Sequence, residues 1–155
     1  MKKETNYERG NILFLERHFH DEVRYMILCM THLKPTGQLE NLYLVAFLVY
    51  IRNFYEFFYI FGKKDRACAQ HYIKNWNEIV KRPEGLRSIY EQISRYSLHL
   101  SYKRDDKDGY KQYNIPYLYE HFREVIITFL EKLPDKTDIL TKLLEDLKKA
   151  KLQFV

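Results

Sequence analysis

The chain has 155 residues, a formal net charge of +5 and 46% apolar residues, enough for one domain, 1–155, with a real core. Five Gly and four Pro against fourteen Tyr and ten Phe favour compact helices over a loop-rich fold. Cys29 and Cys68 are too few for a disulfide framework, and Met1-Lys2-Lys3-Glu4 leads into polar sequence rather than a signal-peptide core, so a cytoplasmic location is expected.

The pattern along the chain predicts five main helices and no strand, an all-α antiparallel bundle. The first spans about 7–33, with Ile12, Leu15, Phe19, Val23, Met26, Ile27 and Met30 at three- and four-residue spacing, and Lys34-Pro35-Thr36-Gly37 ends it. The second spans about 39–61 and is ended by Gly62. A short helical or irregular passage through Ala67 to Trp76 and a loop at Lys81-Arg82-Pro83-Glu84-Gly85 precede a third helix over about 86–102, with Ile89, Ile93, Tyr96 and Leu100 as its apolar stripe. Residues 105–112 are a polar loop. Pro116 suits the first turn of a fourth helix running to about Leu133, and a last amphipathic helix covers about 137–152.

The second helix contains the most informative residues. From Leu42 to Phe61 it is apolar except at Arg52, Asn53 and Glu56. An apolar helix of this kind belongs in a core, where three polar side chains cost several kcal/mol (~2–7 for an unpaired polar group) unless each finds a partner. At roughly 100° per residue, Arg52 and Glu56 lie about 40° apart on one face, with Asn53 about 100° from Arg52. Arg52 and Glu56 are expected to be substantially buried and paired with each other or with polar groups from the third helix, and the three residues either to knot the fold together or to line a site. The same three interruptions argue against a membrane span.

Charge is also placed unevenly. Residues 63–111 carry twelve basic and seven acidic side chains, the whole formal excess, and the flanking parts are balanced. Lys63, Lys64, Lys103 and Arg104 fall near helix ends in this segment, where they suit phosphate contacts as well as they suit ordinary solvated loops. On the third helix Arg95, His99 and Tyr102 follow at i, i+4 and i+7. Arg grips phosphate bidentately and His moves protons near neutral pH, so the set has the parts for metal-free RNA cleavage, although such a pair on one helix is more often surface and packing. His18, Asp21 and Glu22 share a face of the first helix, but a metal needs more ligands than one helix edge supplies, and a solvated charged face is the ordinary reading. No cofactor or metal is expected.

The run Tyr50-Ile51-Arg52-Asn53-Phe54-Tyr55-Glu56-Phe57-Phe58-Tyr59, followed by Asp65, Ala67, Ala69, Tyr72 and Trp76 and closed by His99-Leu100-Ser101-Tyr102-Lys103-Arg104, resembles a pattern in small bacterial helical proteins. That group is similar to the HEPN superfamily of helical bundles, many of them metal-independent ribonucleases in toxin, phage-defence and CRISPR systems. The likeness covers roughly 39–104. It implies an HEPN-like bundle acting on RNA, with Arg52, Asn53, His99 and Tyr102 as the catalytic group and Arg95, Lys103, Arg104, Lys63 and Lys64 as RNA contacts. It also implies a homodimer and an antitoxin or defence-system partner. The superfamily's ribonuclease motif sets four to six residues between its Arg and its His. No His follows Arg52 in that range, and Arg95 and His99 have three residues between them, so a live site here would be assembled from two helices. A non-catalytic helical module that dimerises or holds a partner protein is the competing reading.

Overall fold

The computed structural model describes residues 12–33, 38–61, 66–97 and 113–150, and every regular element among them is helical. A π-helical turn, Leu15–Phe19, runs directly into α1, His20–His32. Then come α2, Gln38–Tyr59, a 3₁₀ turn, Ala69–His71, and the single turn α3, Trp76–Ile79. Helix α4, Leu86–Gln92, passes into a second π turn, Ile93–Ser97, and α5, Ile115–Lys132, and α6, Asp138–Lys149, complete the order. Among the described residues six α-helices thus stand where five main ones were expected, because the passage to Trp76 closes into the extra turn α3.

Helices α1 and α2 are an antiparallel pair, since Phe19 meets Phe54, Glu22 meets Asn53, Tyr25 meets Tyr50 and His32 meets Tyr43. The start of α5 has the chemistry expected of it. Pro116 lies in the first turn, and the Asn114 side chain accepts a hydrogen bond from the Tyr117 amide at 3.1 Å. Arg123 fastens α6 to α5, its Nε donating to the Leu147 carbonyl at 3.0 Å near the end of α6.

One hydrophobic core draws on all six helices, and aromatic rings dominate its centre. Phe129 on α5 meets Phe19, Phe57, Phe58 and Trp76 at centroid distances of 5.4, 5.3, 5.6 and 5.6 Å, mostly edge-on or tilted. Trp76 is fully buried, and its indole N–H donates to the Phe58 carbonyl at 3.1 Å. The one-turn helix α3 follows Asn75, whose left-handed backbone (φ 58°) turns the chain into it. Among the described residues no helix is long and apolar enough to cross a membrane.

Beside this core His121 is half-buried between Tyr59 and Tyr117, whose rings stack on it at 6.1 and 6.2 Å. The Tyr59 hydroxyl and His121 Nε2 are hydrogen-bonded over 2.9 Å, and burial holds the Tyr59 phenol well above its ordinary range. Burial also pushes the His121 pKa below its ordinary value of 6.5, because the charged ring loses solvation. A histidine lowered in the folded state binds its proton first in the unfolded chain. Its contribution to stability is therefore present above about pH 6.5 and is lost as pH falls through the lower folded value. Urea unfolding midpoints should decline from about pH 8 to about pH 5, and His121→Gln should flatten that slope.

Candidate functional site

The C-terminal half of α2 sorts its residues by face. Ile51, Phe54, Tyr55, Phe57 and Phe58 are buried, whereas Arg52, Asn53 and Glu56 are half-buried at the helix edge. Arg52 and Glu56 are paired and for the most part covered, with side-chain exposures of 30% and 16%. The helix is not enclosed all round, and its polar residues occupy the strip where α1, α4 and the chain after α2 leave it partly open.

Glu56 is the centre of the strip. Its Oε1 accepts the Tyr90 hydroxyl at 2.9 Å and faces Arg52 Nε at 3.3 Å, while Oε2 takes the Arg66 guanidinium. Arg52 Nε is buried without a hydrogen bond, so its contact with Glu56 is an ion pair out of line for a bond, and the rest of the side chain keeps 30% exposure. Tyr90 is held in turn by Tyr55, the rings stacked 4.2 Å apart at 12°, and Arg82 donates to the Tyr55 hydroxyl at 3.0 Å. Burial, together with the Glu56 bond and charge, pushes the Tyr90 phenol up.

On the neighbouring flank Asn53 donates from Nδ2 to Glu22 Oε1 on α1 at 3.1 Å. Desolvation raises the Glu22 pKa, against the Asn53 hydrogen bond and the nearby His18 charge, which lower it. Between these groups opens a cleft of about 340 Å³, lined by Glu22, Asn53, Glu56 and Arg66 on its polar side and by phenylalanines, including Phe14 and Phe57, on the other.

The structure brings together Arg52, Asn53 and Glu56 of the sequence-derived set. Arg95 is exposed on the Ile93–Ser97 turn, which packs on α2. His99, Tyr102, Lys103, Arg104, Lys63 and Lys64 lie outside the described residues. The third helix, expected to run unbroken from 86 to 102, changes to π geometry at Ile93. Four residues of the site are not marked as partners by any sequence pattern: Glu22, Arg66, Tyr55 and Tyr90. Spacing on the first helix groups Glu22 with His18 and Asp21 as a metal edge, but among the described residues no group of three or more His, Cys, Asp or Glu is placed to hold a metal.

No family model, curated protein or solved structure matches the chain.

The Glu56 knot should behave as a coupled unit. Glu56→Ala should cost about 2–3 kcal/mol, below the ~3–5 of a fully buried pair because solvent reaches the cluster. Tyr90→Phe should cost about 1–2 kcal/mol. In urea unfolding the double variant should lose less than the two single losses combined, with a coupling of about 0.5–3 kcal/mol.

Proposed function

We propose that this protein is an HEPN-like RNA-acting protein, a metal-independent endoribonuclease of a toxin or phage-defence system that works as a homodimer. The observation that supports the reading is the charge arrangement on α2. The guanidiniums of Arg52 and Arg66 share the single carboxylate of Glu56, so the knot keeps one net positive charge beside Asn53 at the mouth of an open cleft.

In this reading Arg52 and Asn53 hold the scissile phosphate, and His99, two residues beyond Ser97 in sequence, is the proton-transfer group, supported by Tyr102 or Arg95. The 2′-hydroxyl of the substrate gives its proton to a base and attacks the adjacent phosphorus. The bond to the 5′-oxygen breaks, and that oxygen is protonated as it leaves. Arg52 stabilises the charge on the phosphorane. The products are a 2′,3′-cyclic phosphate and a 5′-hydroxyl. Lys63, Lys64, Lys103 and Arg104 contact the flanking backbone, and an antitoxin or defence-system protein is the partner that controls the activity.

The test is cleavage of a labelled single-stranded RNA by the full chain with EDTA present. Cyclic-phosphate products are expected. His99→Ala should lower the rate by about 10²–10⁴-fold, the usual scale of an acid–base group. Arg52→Ala should lower it by about 10²–10³-fold. The affinity for uncleavable RNA should fall steeply with salt, and replacing Lys103 and Arg104 should reduce that slope by about one for each phosphate they neutralise. Cleavage that needs added divalent metal, or that survives His99→Ala, refutes the mechanism. The alternative reading, a non-catalytic module that binds a partner protein, is favoured by the same ion pairs, since Glu56 restrains Arg52. RNA neither bound nor cleaved at low salt decides for it.

A further inference from the structure

The cleft beside the Arg52 knot has a chemistry that phosphate binding does not use. One wall is aromatic. Phe14 and Phe57 lie nearly parallel, with centroids 6.4 Å apart and planes at 19°, and Phe14 is only half-buried. The polar edge holds two carboxylates of different standing. Glu56 is occupied by Arg52, Arg66 and Tyr90. Glu22 accepts one hydrogen bond, from Asn53 onto Oε1, and makes no ion pair among the described residues. Burial works against the Glu22 charge, so further N–H donors brought to that carboxylate are strongly rewarded. The space, about 340 Å³, sits at the low end of small-ligand pockets (~300–1,000 Å³) and suits a single flat ring system rather than a helix or strand.

We propose that this cleft is a base pocket for guanine, with the ring against the Phe14–Phe57 wall and the N1–H and 2-amino groups donating to Glu22. The inference rests on the RNA reading above and names the nucleotide that the protein selects. Among the four RNA bases only guanine presents two adjacent N–H donors to a carboxylate. Adenine and cytosine set an acceptor nitrogen beside their amino group, and uracil flanks its single N–H with two carbonyl oxygens, so each of the three turns an acceptor towards the carboxylate. Asn53 sets the orientation of Glu22, and therefore which edge is read. An arginine side chain has a similar pair of donors, but it is a cation. Arg66 lines the cleft and Arg52 stands just across Glu56, so a ligand that carries a phosphate finds guanidiniums beside the Glu22 carboxylate, which an arginine side chain would not use.

Titration calorimetry of the full chain with GMP, AMP, CMP and UMP tests the pocket without requiring RNA cleavage. GMP should bind about tenfold or more tightly than the other three. Glu22→Gln keeps an oxygen for Asn53 and nearly the same shape, but its amide turns donors towards donors, so GMP should fall to the level of the others. Phe14→Leu should weaken all four together, because stacking does not distinguish bases. Circular dichroism melting establishes that both variants are folded, and the ranking of the four nucleotides on the unaltered chain stands without them. Equal binding of the four, no binding of any, or a GMP preference that survives Glu22→Gln in a folded variant overturns the pocket, even if RNA is cleaved. Arginine amide bound more tightly than GMP also overturns it and makes the cleft a guanidinium site for a protein partner. Selective GMP binding by a chain that neither binds nor cleaves RNA leaves the pocket standing and refutes the RNA reading.

Discussion

The carboxylate of Glu56 ties together three parts of the chain that apolar packing alone would leave able to slide. Its partners come from its own helix at Arg52, from the segment after that helix at Arg66, and from α4 at Tyr90. Hydrophobic contacts are non-directional, so the aromatic core around Phe129 fixes how much surface is buried more firmly than how the elements are turned. A carboxylate with three donors from different directions fixes the turn. It sets the face that α2 presents, and with it the position of Asn53 against Glu22 and the opening of the cleft between them.

The same arrangement explains why the polar residues of α2 are tolerated. A lone charge in a core costs far more than a hydrogen bond returns, but at the edge of the bundle solvent shares the cost. Arg52 and Arg66 keep contact with water, and Tyr90 supplies an aromatic body that packs on Tyr55 and a hydroxyl that reaches the charge. The result is a local surface that is partly hydrated, with the guanidiniums of Arg52 and Arg66 set against the carboxylates of Glu56 and Glu22, next to a wall of phenylalanine.

Much of this is legible in the residues. The period of the apolar positions marks the helices, Asn114 and Pro116 mark the start of α5, and the four-residue step from Arg52 to Glu56 marks the ion pair. The remaining contacts are not, because they cross the fold. Tyr90 meets Glu56 across 34 residues and Asn53 meets Glu22 across 31, and no local spacing encodes either meeting. Arg66 reads in sequence as one more charge in a basic run, and only the path of the backbone brings it back to Glu56.

The π turn at the start of α1 has a geometrical consequence for the cleft. His20 donates its amide to the Leu15 carbonyl, five residues back, so this turn holds one residue more than an α turn without a matching gain in rotation. Eight residues of unbroken α-helix would set Phe14 and Glu22 about 80° apart around the axis. The extra residue takes back about 100°, leaving them within about 20° of each other. The aromatic wall and the carboxylate edge of the cleft thus come to one side of one helix through a single surplus residue. The spacing of that cleft is a matter of helical phase as well as of the side chains that line it.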